Sequence, residues 1–86
     1  MASYKVLIRK SAAVELGRIP KRDLAKIIER IRALSAQPRP HGVEKLSGQE
    51  RYRIRQGDYR IIFAIDDAEQ RVEIFKIGHR SEIYRV

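Results

Sequence analysis

The chain contains no cysteine, and its two histidines, His41 and His79, lie far apart in the sequence. Disulfide bonds and thiolate metal ligands are therefore excluded, and isolated histidines lack the companions that a zinc site requires. No apolar run approaches the ~20 residues that span a membrane, and the first residues form no apolar signal region. We expect a cytoplasmic protein that contacts no membrane and uses neither a metal ion nor a small-molecule cofactor.

Positive charge is the main compositional bias, because 19 lysines and arginines oppose 11 acidic residues and give a net charge of +8. Arginines outnumber lysines by about two to one, and the planar guanidinium is the better group for forked hydrogen bonds to phosphate. The length of 86 residues predicts one small domain, residues 1–86. A domain this basic is expected to bind a polyanion, either a nucleic acid or an acidic protein.

The positive charge is concentrated in residues 51–60, where arginine occupies every second position of the first half: Arg51, Arg53 and Arg55. Tyr52 and Ile54 alternate with these arginines, so the pattern predicts a strand with one apolar and one charged face. Gly57-Asp58 predicts a tight hairpin turn, which would place Arg60 directly opposite Arg55. Directly opposed like charges destabilise a sheet, so this crowding indicates that a polyanion occupies the charged face.

The remaining segments predict the fold class. In chain order the patterns predict a strand at residues 4–9, two helices separated by Ile19-Pro20, a polar loop at residues 38–50, and strands at residues 51–56, 59–65 and 71–77. The second helix carries an apolar stripe expected to pack on a sheet: Leu24, Ile27, Ile28, Ile31 and Leu34. This order predicts an α+β domain with an N-terminal strand and a helical hairpin packed on a four-stranded, largely antiparallel sheet.

Three motifs follow one another along the chain: Lys45-Leu46-Ser47-Gly48, then Tyr52-Arg53-Ile54-Arg55 with Asp58-Tyr59-Arg60, and the ending Ile77-Gly78-His79-Arg80-Ser81-Glu82-Ile83-Tyr84. Together with the order of the elements they resemble the RelE/ParE toxin superfamily over almost the whole chain. The ending is similar to that of the RelE branch, whose members cut messenger RNA in the ribosomal A site. The ParE branch shares the fold but inhibits DNA gyrase.

The resemblance implies a type II toxin that is a metal-independent, ribosome-dependent endoribonuclease and inhibits translation. In this chemistry the 2′-hydroxyl of the RNA attacks the adjacent phosphate and leaves a 2′,3′-cyclic phosphate and a free 5′-hydroxyl. The reaction needs a base, an acid and cations that stabilise the charged phosphorane. The resemblance also implies a cognate antitoxin, of the RelB kind, that neutralises the toxin by covering its arginines.

Six residues become catalytic candidates: Arg53, Arg55, Arg60, His79, Arg80 and Tyr84. The resemblance places a basic pair, often lysines, at Arg53 and Arg55, phosphate-contacting arginines at Arg60 and Arg80, and a substrate-orienting tyrosine at Tyr84. Because arginine does not lose its proton, the basic pair would stabilise charge. His79 then becomes the main candidate for proton transfer, and Tyr84 is a weaker candidate unless its pKa is strongly lowered. Two further residues are expected to contact RNA phosphates, Lys45 and Arg51.

Other functions remain open on the sequence alone. A ParE-like gyrase inhibitor would bind its target without cutting RNA, although the ending with Arg80 and Tyr84 argues against it. An inactive member would only bind RNA or the antitoxin, and a structural ribosome- or DNA-binding protein would fit the charge but not the ordered motifs. Arg60 could also have a plainer role as the ion-pair partner of Asp58 or of a carboxylate in the C-terminal tail.

Overall fold

The structure of the protein is a computed structural model that describes residues 3–46, 48 and 50–83. Its elements, in chain order, are β1 (Lys5–Ile8), α1 (Lys10–Leu16), α2 (Lys21–Ala33), β2 (Glu44–Lys45), β3 (Tyr52–Gln56), β4 (Tyr59–Asp66), β5 (Arg71–His79) and α3 (Arg80–Ile83). The predicted α+β class, with an N-terminal strand and two helices on a sheet, is confirmed. Within the described ranges no helix has the length and apolar character needed to cross a membrane.

The sheet has five strands in the order β1-β5-β4-β3-β2. Only β1 and β5 pair in parallel, and the other three pairs are antiparallel, which confirms the largely antiparallel sheet. The predicted number of four strands is wrong, because Glu44 and Lys45 in the expected loop form the edge strand β2 opposite Arg53 and Tyr52. A strand of two polar residues is too short to show the alternation of apolar and polar residues by which strands are predicted.

Within residues 3–46, 48 and 50–83, α1 and α2 cover one face of the sheet, and the other face carries no helix. α1 packs against β5 and α2 against β3, and the predicted stripe of α2 supplies Ile27, Ile31 and Leu34 to the core. We call the side that these helices cover the covered face; its buried side chains from the central strands are Ile54, Ile61, Phe63, Val72, Ile74 and Ile77. Burying each large aliphatic or aromatic side chain contributes about 1.5–3 kcal/mol, so the stability of the fold comes mainly from this face.

A β-bulge interrupts β5 and changes which side chains face the helices. Ile62 lies opposite Lys76, but the next residue of β4, Phe63, lies opposite Ile74, so Phe75 is an extra residue without a partner. The Glu15 carboxylate of α1 holds the bulge, since it accepts hydrogen bonds from the Ile77 amide at 2.9 Å and the Lys76 ammonium at 3.1 Å. Because of the extra residue, Phe75 and Lys76 both point away from the core, and the next residue, Ile77, points into it.

Candidate functional site

The hairpin of β3 and β4 has the predicted turn and register. Gly57 has φ +60°, whereas Asp58 has no positive φ, which is the pattern of a primed turn with glycine in its first central position. Arg55 lies directly opposite Arg60, and Gln56 lies opposite Tyr59. The turn thus places two arginines side by side on neighbouring strands, as the sequence predicts.

Four arginines share the open side of this hairpin. Alternate residues of a strand, and residues directly opposite on neighbouring strands, project to the same side. We call the open side of β3 and β4 the arginine face. Its arginines are Arg53, Arg55 and Arg60 of the two strands, together with Arg51, which directly precedes β3 and lies over the outward ring of Phe75. Tyr52 and Tyr59 pack against the core, which confirms that they lie on the covered face.

Arg60 is 6% exposed, and it is the one buried charged side chain in the described part of the protein. Its Nη1 donates to the carbonyl oxygens of Tyr59 at 3.1 Å and Gly57 at 3.4 Å, and its Nε has no partner among residues 3–46, 48 and 50–83. Asp58 pairs with Arg80, not with Arg60. A buried charge without a counter-ion is costly, so this guanidinium is suited to an anionic ligand.

Arg53 and Arg55 occupy different environments. The side chain of Arg53 is 16% exposed, and its Nη2 donates to the Glu44 carboxylate of β2 at 2.9 Å. Arg55 is exposed, and no carboxylate of the described residues forms an ion pair with it, while its backbone carbonyl accepts a 3.2 Å hydrogen bond from Arg30. Glu44 therefore compensates Arg53, and Arg55 presents a free positive charge beside Arg60.

The hairpin turn also positions Arg80. The Arg80 amide donates to the Asp58 carbonyl at 2.8 Å, and the Arg80 Nε lies 3.9 Å from the Asp58 carboxylate. The neighbouring carbonyls of Gly57 and Tyr59 hold Arg60. The turn consequently brings the two predicted phosphate-contacting arginines to the same end of the sheet.

His79 and Lys45 lie on the other side of the sheet from these arginines. His79 is opposite Tyr59, packs edge-on against its ring at 5.7 Å, and lines a pocket of about 240 Å³ between α1 and α3. Its Nδ1 accepts a hydrogen bond from the Ser81 amide at 3.1 Å, so the proton of the neutral ring lies on Nε2. Lys45 is opposite Tyr52 and pairs with Glu50 at 3.7 Å.

The structure does not bring every predicted site residue together. The arginine face carries Arg51, Arg53, Arg55 and Arg60, and Arg80 lies near one end of it. His79 and Lys45 lie on the opposite side of the sheet. Tyr84 lies outside the described residues, and so does Ser47 of the first motif.

Two residues near the site were missed by sequence reasoning. Glu44, the counter-ion of Arg53, belongs to the strand that the sequence did not predict. Phe75 is placed beside the arginine face by the bulge, with the Arg51 guanidinium carbon 3.6 Å from its ring centroid. The only sequence signal for Phe75 is an aromatic residue at an outward position of the last strand.

A second electrostatic cluster lies away from the site, at the β4–β5 turn. Arg39 contacts both carboxylate oxygens of Asp67 at 2.9 and 3.1 Å, and the Tyr4 hydroxyl donates to the same carboxylate at 2.7 Å. The hydrogen bonds from Arg39 and then Tyr4 lower the pKa of Asp67 to about 2. Through Arg39 and Tyr4, this cluster connects the segment after α2 and the start of β1 to the β4–β5 turn. Its role is structural.

The fold and the arginine face define a small basic domain of the RelE/ParE fold. The family model described as "ParE toxin of type II toxin-antitoxin system, parDE" matches residues 6–84. The chain belongs to this family of type II toxins.

Similar proteins place the chain among the RelE-like members. Toxin RelE of Mycobacterium tuberculosis (strain ATCC 25618 / H37Rv) is 38% identical over 88 residues, with 96% of this chain and 88% of the relative covered. Toxin RelG of the same organism is 34% identical over 86 residues, with 95% and 97% covered.

The fold also matches solved toxin–antitoxin complexes. The complex RelBE2 from Mycobacterium tuberculosis superposes with a TM-score of 0.82 at 29% identity, with 92% of this chain and 100% of that chain covered. The archaeal RelE-RelB complex from Pyrococcus horikoshii OT3 has a TM-score of 0.82 at 30% identity, with 92% and 97% covered.

Proposed function

We propose that the protein cleaves ribosome-bound messenger RNA in the A site and that the arginine face holds the scissile phosphate. The observation that carries this proposal is the pair Arg55 and Arg60, which lie directly opposite each other with no carboxylate of the described residues paired to either. A phosphate between the strands would relieve the repulsion between them.

The proposed chemistry is attack of the RNA 2′-hydroxyl on the adjacent phosphate, with release of a free 5′-hydroxyl. Arg60 and Arg55 would stabilise the charge that develops on the phosphorane, with Arg53 beside them on β3 and Arg80 at the turn. Because these guanidinium groups supply the positive charge, the reaction would be independent of a metal ion.

Proton transfer needs a different group, since arginine stays protonated. His79 lies across the sheet from Arg60, and its Nδ1 is occupied by Ser81. We therefore assign the proton transfer to Tyr84 in preference to His79. Arg51 would contribute to RNA binding, and Lys45 would contact RNA only outside the arginine face.

The cognate partner that we propose is a RelB-like antitoxin with an acidic segment. The Mycobacterium tuberculosis and Pyrococcus horikoshii structures are toxin–antitoxin complexes, and this chain has a net charge of +8. An acidic segment over the arginine face would supply the missing counter-charges and exclude RNA. Such a toxin would act in the cytoplasm, where ribosomes and messenger RNA are found.

The test is a primer-extension assay on messenger RNA in a purified translation system, with and without ribosomes. Wild-type protein is expected to cut at A-site codons only when ribosomes are present. Arg60→Ala should lower the single-turnover rate by about 10²–10³-fold, as is typical for loss of one preorganised charge-stabilising group, and should change ribosome binding much less.

Arg60 is buried, so the stability of each variant is measured alongside by urea unfolding. Arg60→Lys keeps the positive charge but not the forked geometry, and serves as the matched variant. Equal losses of rate and ribosome binding in Arg60→Ala would show that Arg60 only positions the RNA. No cleavage by the wild type at any dose would refute the nuclease, and trapping of DNA gyrase would then favour the ParE-like alternative.

A further inference from the structure

Phe75 is an aromatic side chain held outside the core by the bulge of β5. It has no partner on β4, and it is only partly buried although it is one of the two phenylalanines of the chain. Glu15 fixes this arrangement by accepting the amide hydrogen of Ile77, two residues further on. The ring is therefore presented at a defined place, on the same side of the sheet as Arg51.

Two guanidinium groups lie over this ring. The Arg51 guanidinium carbon is 3.6 Å from the ring centroid, and the Arg9 guanidinium carbon is 4.6 Å from it. Arg9 is compensated by Glu73 at 3.8 Å, whereas no carboxylate of the described residues forms an ion pair with Arg51. The Arg51–Phe75 pair thus places an uncompensated positive charge directly over an aromatic ring.

The position of this pair along the sheet suits an RNA strand bound at Arg55 and Arg60. Arg51 directly precedes β3 and lies four residues from Arg55, which corresponds to about 13 Å of extended chain. A single strand with its scissile phosphate at the hairpin end can continue along β3 and bring a flanking nucleotide to Phe75. Single-stranded RNA is recognised in this way, by stacking of unpaired bases on aromatic rings and guanidinium planes.

We propose that Arg51 and Phe75 form a nucleobase-stacking site for the nucleotide that flanks the scissile phosphate. The inference rests on the proposed function and extends it to residues outside the reacting centre. Every base has a π-face, so the site tolerates different bases. Arg51 and Phe75 are positioning residues: they hold the strand in register and take no part in the chemistry.

The test compares Phe75→Leu, which keeps an apolar side chain, with Phe75→Tyr, which keeps the aromatic ring. Single-turnover cleavage of ribosome-bound messenger RNA is measured over a range of toxin concentrations. Phe75→Leu should raise the half-saturating concentration roughly 5- to 150-fold, the usual loss per stacked base, with little change in the saturated rate. Phe75→Tyr should remain close to the wild type.

Arg51→Lys separates stacking from charge, since it keeps the positive charge and removes the planar group. It should raise the half-saturating concentration like Phe75→Leu. A wild-type value in both variants would overturn the stacking site. Weaker retention of the co-purified antitoxin, with unchanged RNA saturation, would also overturn it and make the pair a protein contact.

A readout that needs no cleavage uses the Arg60→Ala background and messenger RNA with the fluorescent base 2-aminopurine at the A-site codon. Binding of the protein that retains Phe75 should quench the fluorescence of 2-aminopurine. Binding of the protein that also carries Phe75→Leu should leave this fluorescence unchanged. Failure of the proposed function would appear as no cleavage by the wild type. Failure of the stacking site alone would appear as normal cleavage with equal quenching in both proteins.

Discussion

The two faces of the sheet differ most clearly within a single strand. In β3, Ile54 is 1% exposed on the covered face, while its neighbours Arg53 and Arg55 project to the arginine face. The covered face is filled by aliphatic side chains from two helices, and no helix of the described residues lies over the arginine face. One strand therefore serves stability on one side and ligand binding on the other, and single substitutions should separate the two roles.

Phe63→Ala tests the stabilising role of the covered face and should have the largest effect. Phe63 is fully buried, and removing a buried phenyl ring leaves a cavity that costs about 3–5 kcal/mol of the free energy of unfolding. Urea unfolding of the purified variant measures this loss. Arg55→Ala, on the opposite side of the sheet, should change the same quantity by no more than about 0.5 kcal/mol; similar losses would show that the two faces do not divide the roles.

Acid should weaken the cluster at the β4–β5 turn, which is a smaller effect. The pKa of Asp67 is lowered from 3.8 to about 2 in the folded protein, so its contribution to stability is present above about pH 4 and is lost as the pH falls toward 2. Thermal midpoints of the wild type and Asp67→Asn should differ at neutral pH and converge in acid. A constant difference down to about pH 2 would contradict this role for Asp67.

Local patterns in the sequence predicted the arginine face well. The alternation of residues 51–56, the glycine of the turn and the opposition of Arg55 and Arg60 all depend on neighbours within one hairpin. The stripe of α2 is local in the same sense, because helical spacing alone places Ile27 and Ile31 on one side. These features needed no knowledge of distant contacts.

The bulge could not be predicted, and it explains the unexpected position of His79. Simple alternation from Ile74 would place His79 on the open side, together with the arginines. The extra residue Phe75 reverses the alternation after it, so Ile77 returns to the core and His79 faces the helices. The group that holds the bulge, Glu15, is more than 60 residues away in the sequence, and no local pattern signals this contact.

The most direct test of the division between the faces removes one positive charge from each side of the protein. Arg55→Ala removes it from the arginine face, and Arg22→Ala removes it from the exposed surface of α2. Single-turnover cleavage of ribosome-bound messenger RNA is measured for both. We predict that Arg55→Ala lowers the rate by at least about 10²-fold and that Arg22→Ala stays near the wild type. Equal rates in the two variants would contradict the assignment of the arginine face as the functional site.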